Sequence, residues 1–247
     1  MKRQGRITPR RSTWIVLASL VAGTAVAATS LPAAPRQSPV PSSPPSDGHD
    51  VVILAHGMGR TRFSMATLAS ALENEGFEVI NYGYPSRSDT IARLSRGLAS
   101  RIEKEEARPE VARVHLVGHS LGNILIRWVI AHRRPAKLGR IVMLAPPNRG
   151  SRRADLAAPW LAWLSAPLPE LTTWDTSTVN TLPTPADVPI GIIAGSHDGM
   201  VPVTQTFLEP PCLCDHVVVP SGHTFIMRHQ LVHRLTIGYL KNGSFFD

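Results

Sequence analysis

One serine lies in a pentapeptide suited to nucleophilic chemistry, Gly118-His119-Ser120-Leu121-Gly122. The pentapeptide follows an apolar, β-rich run at residues 111–117 and precedes an apolar helical segment at residues 121–132. Glycines on both sides of a serine let the chain turn sharply from strand to helix, with the hydroxyl exposed at the strand tip and the backbone strained. Because a serine hydroxyl is a poor nucleophile until a base removes its proton, Ser120 requires a histidine and a carboxylate from elsewhere in the chain.

Two later loops contain these groups. Asp198 lies in a loop of small residues after the apolar run at residues 190–194, and His223 follows the run at residues 217–219. In a serine–histidine–aspartate triad, the carboxylate holds the imidazole in the productive tautomer and stabilises the imidazolium that forms. Asp198 and His223 are therefore candidates for the carboxylate and the histidine.

Other acids and histidines of the domain are less suitable as partners of the serine. Asp187 lies before its strand, and Asp215 and His216 lie at a strand start, so all three belong to the wrong edge of the sheet. His197 adjoins Asp198 in sequence and could compete for its carboxylate, but it precedes the last strand. Asp198 and His223 thus remain candidates, and the resemblance given below assigns their roles.

A metal site is not indicated by the remaining candidate ligands. His229 and His233 have the i, i+4 spacing of a zinc pair, but Gln230 stands where the H-E-x-x-H motif has glutamate, and no third ligand is apparent. We interpret both histidines as surface or packing residues. The two cysteines, Cys212 and Cys214, are separated by one residue, and the sequence leaves a strained disulfide and two free thiols equally open.

Strand-like runs alternate with helical patterns along the domain. This alternation predicts an α/β fold with a mostly parallel sheet of about six strands and helices on both faces. Ligands bind beyond the carboxyl ends of the strands in such sheets, where Ser120, Asp198 and His223 are all expected. The predicted strands are residues 51–55, 77–82, 111–117, 141–145, 190–194 and 217–219. The predicted helices are residues 62–75, 88–106, 121–132 and 223–241.

The order of these motifs resembles that of the α/β-hydrolase family, and within it the small bacterial lipases and esterases. The resemblance covers residues 50–247 and places the triad in the family's chain order, which is serine, acid, histidine. It implies that Ser120 is the nucleophile, Asp198 the acid and His223 the base.

The segment His56-Gly57-Met58-Gly59 after the first strand is similar to the family's oxyanion-hole segment. The resemblance implies that the backbone N–H groups of Met58 and Leu121 stabilise the developing oxyanion. Asn123 departs from the pattern, because many relatives have glycine there, and we expect it to affect packing more than chemistry. Further family-like stretches, at residues 84–87 and 145–150, have no role that the sequence reveals.

The resemblance implies a serine carboxylesterase or lipase that cleaves small-molecule or lipid esters through an acyl-enzyme, without a cofactor or a metal. An acyltransferase or thioesterase would use the same acyl-enzyme, so both stay open as alternatives. A non-catalytic binding module is disfavoured by the complete triad. A nucleic-acid partner is not indicated, because the domain has no basic stripe with interleaved aromatic residues.

Residues 150–187 contain no clear strand and are predicted to form a short, lid-like insert. They include Trp160, Trp163 and Trp174 and several leucines. An apolar insert beside a reactive serine favours an acyl chain as ligand, which makes the three tryptophans candidate substrate contacts. The alternative is that these side chains pack on the sheet.

The N-terminal residues are predicted to lie outside the folded domain. Residues 1–28 have five of the charges that make up the net charge of +8, followed by an apolar run and the small residues Ala25-Val26-Ala27, a pattern typical of a secretory signal. The alternative is an uncleaved membrane anchor over residues 14–31. Residues 29–48 form a proline-rich linker, and residues 49–247 are the predicted catalytic domain, exported to the periplasm or secreted.

Overall fold

The computed structural model describes residues 48–246. The predicted signal or anchor at residues 1–28 and nearly all of the linker at residues 29–48 lie outside the described residues. None of the helices in the described part is both long enough and apolar enough to cross a membrane.

A six-stranded sheet with the order β2-β1-β3-β4-β5-β6 forms the centre of the domain, and every neighbouring pair is parallel. The predicted α/β fold and strand number are confirmed. All six predicted strands exist, with ends that shift by one or more residues, most for the last one. The strands are β1 His49–Ala55, β2 Glu78–Tyr82, β3 Val111–His119, β4 Leu138–Leu144, β5 Pro189–Gly195 and β6 Leu213–Val219.

Six α-helices and several short 3-10 turns connect the strands. The α-helices are α1 Ala66–Asn74, α2 Ile91–Glu106, α3 Leu121–His132, α4 Arg152–Leu161, α5 Thr178–Thr181 and α6 Gln230–Asn242. The 3-10 turns are Arg62–Met65, Ala162–Leu164, Pro169–Leu171, Val203–Gln205 and His223–Arg228. The insert at residues 150–187 thus consists of α4, α5 and two of these turns.

The predicted helix at residues 223–241 is corrected by the structure. His223–Arg228 forms a 3-10 turn, and α6 begins only at Gln230. The break lies at His229, whose extended backbone ends the turn and whose Nδ1 accepts a hydrogen bond from the Leu231 N–H, which caps the first turn of α6. His233 donates from Nε2 to the Met227 carbonyl, so both histidines have roles in the local fold.

Two hydrophobic cores lie on opposite faces of the sheet. Val51 and Ile53 of β1 pack with α2, α3 and part of the insert, whereas Val52 and Leu54 pack with α1 and α6. This alternation follows from the two-residue period of a strand, and a strand covered on both faces is apolar at every position. The helices on both faces were therefore predictable from the apolar runs.

The two cysteines and the remaining candidate ligands have defined places. Cys212 and Cys214 form a disulfide at the start of β6, which answers the question that the sequence left open. Between residues 48 and 246, no group of three or more histidine, cysteine, aspartate or glutamate side chains is arranged to hold a metal ion.

Candidate active site

Ser120 lies in a tight turn between β3 and α3. Its φ of 51° and ψ of −119° fall outside the regions that most residues adopt, a strain that often marks functional sites. The Ser120 N–H donates to the Leu144 carbonyl at 3.0 Å, which ties the turn to the end of β4. The turn thus holds the serine at the carboxyl edge of the sheet, as the pentapeptide predicts.

The glycines around Ser120 are required by the space that they occupy. A Cβ on Gly118 would lie 2.3 Å from Asn123 Oδ1, and one on Gly122 would lie 2.2 Å from the Ala55 carbonyl oxygen. Asn123 itself is buried and donates from Nδ2 to the Leu144 carbonyl at 3.0 Å. Asn123 therefore secures the turn to β4, in keeping with a packing role.

His223 connects Ser120 to Asp198. Its Nε2 lies 3.0 Å from Ser120 Oγ, and its Nδ1 lies 2.7 Å from Asp198 Oδ2. The other carboxylate oxygen, Oδ1, accepts the N–H groups of Met200 and Val201, each at 2.8 Å, so the buried carboxylate has a fixed orientation. With Nδ1 donating to the carboxylate, Nε2 is the free base that can accept the serine proton.

The segment after β1 packs directly against the serine. A Cβ on Gly57 would lie 3.2 Å from Ser120 Cβ, so the close approach depends on glycine. Met58 lines the same cavity as Ser120 and His223. Leu121 is the first residue of α3, where a backbone N–H has no acceptor within its own helix. Met58 and Leu121, the predicted donors to an oxyanion, thus lie beside Ser120, and their role stays a prediction.

A cavity of about 430 Å³ opens at Ser120 and His223. Five leucines of the insert line it, together with alanines and methionines, and most of its surface is apolar. The leucines are Leu156, Leu161, Leu164, Leu168 and Leu171. The cavity can therefore accept an apolar group within reach of the serine hydroxyl.

None of the predicted substrate contacts Trp160, Trp163 and Trp174 lines the cavity. Trp160 and Trp163 are 77% and 83% exposed, and Trp174 is half-exposed, so packing on the sheet does not describe them either. Trp160 precedes the cavity residue Leu161 by one position, which is about 100° around a helix. The sequence shows an apolar insert but not which of its faces turns inward.

Family comparison agrees with the fold. The profile of the alpha/beta hydrolase family matches residues 52–179, just over half of the chain. The chain belongs to the alpha/beta hydrolase family. The matched range contains Ser120 and ends before Asp198 and His223, which the tertiary structure brings to the serine. No curated protein sequence matches this hydrolase significantly.

Solved structures similar to this hydrolase include two lipases and the protein Est1E. Lipase B from Aspergillus fumigatus has a TM-score of 0.65 and 18% identity over 78% of this chain, which spans 53% of that chain. The mature lipase BlEst2 from Bacillus licheniformis has a TM-score of 0.60 and 18% identity, covering 81% and 95% of the two chains. Est1E from Butyrivibrio proteoclasticus, solved with ferulic acid, has a TM-score of 0.58 and 16% identity, covering 80% and 90%. At these identities the likeness concerns the fold.

The loop after β2 supports the oxyanion segment of the hydrolase, a role that the sequence did not reveal. The Tyr84 ring stacks on buried His56 with centroids 4.2 Å apart, and its hydroxyl donates to the His56 carbonyl at 2.5 Å. Ser86 Oγ accepts the Gly59 N–H at 3.0 Å. These contacts hold residues 56–59 beside Ser120. The family-like stretch at residues 84–87 was the only sequence signal for these contacts. It did not indicate that residues 56–59 are its partner.

His119 lies beside His223 and forms a hydrogen bond with its backbone. Its ring is buried, and Nε2 donates to the His223 carbonyl at 3.0 Å, while the rings lie 5.0 Å apart. Burial, with a smaller effect of His223, holds the pKa of His119 well below its ordinary value of 6.5. Burial also lowers the pKa of His56. Both rings therefore bind a proton less readily in the folded hydrolase than in the unfolded chain.

Acid should destabilise the hydrolase because of these two histidines. Below about pH 6.5 the unfolded chain binds protons that the folded chain excludes, so stability is complete above that pH and falls as the pH is lowered. We expect the free energy of unfolding to drop by about 1–3 kcal/mol from pH 7.5 to 5.5. Urea unfolding at both pH values measures this difference.

The variant H119Q should show a smaller drop between the two pH values than the wild type. Substitution of the exposed His197, H197Q, is the matched control and should leave the drop unchanged. An equal drop in H119Q and the wild type would assign the acid sensitivity to other groups.

Proposed function

We propose that the chain is a serine hydrolase that cleaves carboxylic esters of acyl chains. The observation that carries the proposal is the unbroken connection from Ser120 Oγ through His223 to Asp198, opening on an apolar cavity. A base within hydrogen-bond reach of the hydroxyl, itself oriented by a carboxylate, is the arrangement that activates a serine. The lipase names of two structural neighbours accord with this assignment.

In the first half of the reaction, the Ser120 oxygen attacks the ester carbonyl carbon while its proton passes to His223 Nε2. Asp198 stabilises the imidazolium that results. The carbonyl oxygen becomes an oxyanion, which the N–H groups of Met58 and Leu121 stabilise by hydrogen bonds. When the intermediate collapses, the bond to the alcohol oxygen breaks, His223 returns the proton to that oxygen, and the alcohol leaves.

In the second half, water replaces the alcohol. His223 takes a proton from the water while the water oxygen attacks the acyl carbon of the Ser120 ester. Collapse of the second oxyanion breaks the bond to the serine oxygen, which recovers its proton from the imidazolium. The products are a carboxylic acid and the free enzyme, and no cofactor takes part in either half.

The apolar cavity supports an acyl chain as the group that the enzyme selects. Its leucines belong to the insert at residues 150–187, which we propose as a short lid or acyl-binding wall. We also propose export of the domain to the periplasm or medium, with residues 1–28 as a cleaved signal or residues 14–31 as a membrane anchor. The sequence pattern is the support for this part of the proposal.

A fluorophosphonate probe tests the proposed nucleophile. Such probes phosphonylate activated serines with loss of fluoride, so we expect one label at Ser120, located by peptide mass spectrometry. Prior unfolding should abolish the labelling, because activation requires His223 and Asp198 in place. Labelled enzyme should lose its turnover of p-nitrophenyl octanoate. Labelling elsewhere, or no labelling of the folded chain, would contradict the mechanism.

A further inference from the structure

Two arginines line the otherwise apolar cavity at Ser120. Arg87 and Arg153 both reach it, and no aspartate or glutamate lines it. Among residues 48–246, neither guanidinium has a carboxylate within 4.0 Å. The cavity therefore combines an apolar wall with two positive charges whose N–H donors are available.

Arg87 lies against the oxyanion segment. A Cβ on Gly59 would be 3.0 Å from one terminal nitrogen of Arg87 and 3.2 Å from its Nε, so the guanidinium rests on the Gly59 backbone. Within residues 48–246, its side chain has no hydrogen-bond partner. The Arg87 carbonyl accepts the Ala166 N–H at 2.9 Å, which joins this loop to the insert.

Arg153 lines the same cavity beside His223. Its Nε donates to the Gly199 carbonyl at 2.6 Å, which orients the guanidinium, and its terminal nitrogens have no hydrogen-bond partner among residues 48–246. Arg153 and His223 also line a second depression of about 290 Å³, together with Thr224. The cavity and the smaller depression therefore share Arg153 and His223.

Asp155 and Glu170, two acids of the insert, form hydrogen bonds elsewhere and no ion pair with either arginine. Asp155 accepts from the backbone and hydroxyl of Thr173, each at 2.7 Å. Glu170 accepts the Ile91 N–H at 2.9 Å and the Thr178 hydroxyl at 2.7 Å. Neither carboxylate therefore occupies the guanidinium N–H donors that a bound anion would need.

We propose that the preferred substrates are acyl esters whose alcohol part bears a phosphate, recognised by Arg87 and Arg153. This inference rests on the proposed ester hydrolysis. The leucines on the apolar side accommodate the acyl chain, so the alcohol extends toward Arg153, where His223 returns the proton to its oxygen. The planar guanidinium offers paired N–H donors that match two phosphate oxygens.

Two substrates that differ only in the phosphate test the inference. They are 1-octanoylglycerol and 1-octanoylglycerol 3-phosphate, used below their aggregation concentrations, with release of octanoic acid as the readout. We expect kcat/KM to be about tenfold higher for the phosphate, since a hydrogen bond to a charged group contributes at least that factor. We expect the preference for the phosphate substrate to shrink at about 0.5 M salt, because salt screens exposed charges.

The variants R87Q and R153Q locate the preference. The ratio of the two kcat/KM values should fall severalfold in each variant and approach one in the double variant. R152Q is the matched control, because Arg152 is the exposed neighbour of Arg153 on α4 and does not line the cavity. It should retain the wild-type ratio.

The outcomes separate this inference from the proposed function. A wild-type ratio near one, or a ratio that survives in the double variant, would overturn the phosphate preference while leaving ester hydrolysis intact. An equal fall of the ratio in R152Q would show a diffuse charge effect and also overturn it. Absence of turnover on both esters, with no fluorophosphonate label at Ser120, would overturn the proposed function itself.

Discussion

Replacement of Ser120 by alanine should lower kcat for p-nitrophenyl octanoate by about 10⁴- to 10⁶-fold, the largest effect expected of any single substitution. The methyl group removes the attacking oxygen while leaving the strained turn, its hydrogen bond to Leu144 and the cavity in place. The residual rate would come from binding and the oxyanion donors alone. Initial rates on purified protein, beside a thermal unfolding curve, measure the effect and show whether the variant is folded.

The matched control for this variant is S196A. Ser196 is exposed in the loop after β5, at the same edge of the sheet, and its hydroxyl contacts only the neighbouring His197. We expect S196A to turn over the ester at the wild-type rate. If folded S120A kept kcat within about tenfold of the wild type, another group would have to be the nucleophile.

The variant D198N should lower kcat by about 10⁴-fold. In the wild type, Oδ1 accepts two backbone N–H groups, and Oδ2 accepts the His223 Nδ1–H at 2.7 Å. An asparagine would keep its oxygen on the two N–H donors and turn its NH₂ toward Nδ1, which must then act as the acceptor. The ring proton would move to Nε2, the atom that has to accept the Ser120 proton.

Asp187 provides the control carboxylate for D198N. It forms an exposed ion pair with Arg134 at 2.5 Å, away from the cavity, so D187N should change kcat little and stability by less than about 1 kcal/mol. Comparison of kcat and KM separates the two roles, because D198N should lower kcat with little change in KM. A D198N enzyme with near wild-type kcat would show that His223 does not depend on Asp198 for its tautomer.

Much of the site was predictable because each reactive side chain follows a strong strand pattern. The apolar runs before Ser120 and Asp198 are buried on both faces of the sheet, whereas the run before His223 lies in the partly exposed edge strand β6, and all three parallel strands end at a common edge. The pairing of the three residues then follows from chain order and residue type. Their distances of 2.7 and 3.0 Å agree with that prediction, whereas their catalytic roles remain our proposal.

The contacts between loops could not be predicted from the sequence. Nothing near Tyr84 or Ser86 in the sequence names His56 and Gly59 as their partners, because these pairs are separated by more than 25 residues and arise only when β1 and β2 lie side by side. The same holds for Arg87 and Arg153, which belong to different loops and share one cavity.

The sequence by itself determined the parallel α/β fold, the sharp turn at Ser120 and the residue types that meet at the sheet edge, because strand period, glycine size and chain order are local properties. Only the tertiary structure decided which side of the insert faces the serine, with leucines inward and Trp160 and Trp163 outward. The tertiary structure also decided that Arg87 and Arg153 line the cavity beside His223. Such choices depend on how separate segments pack, and one helix turned by about 100° exchanges its inner and outer residues.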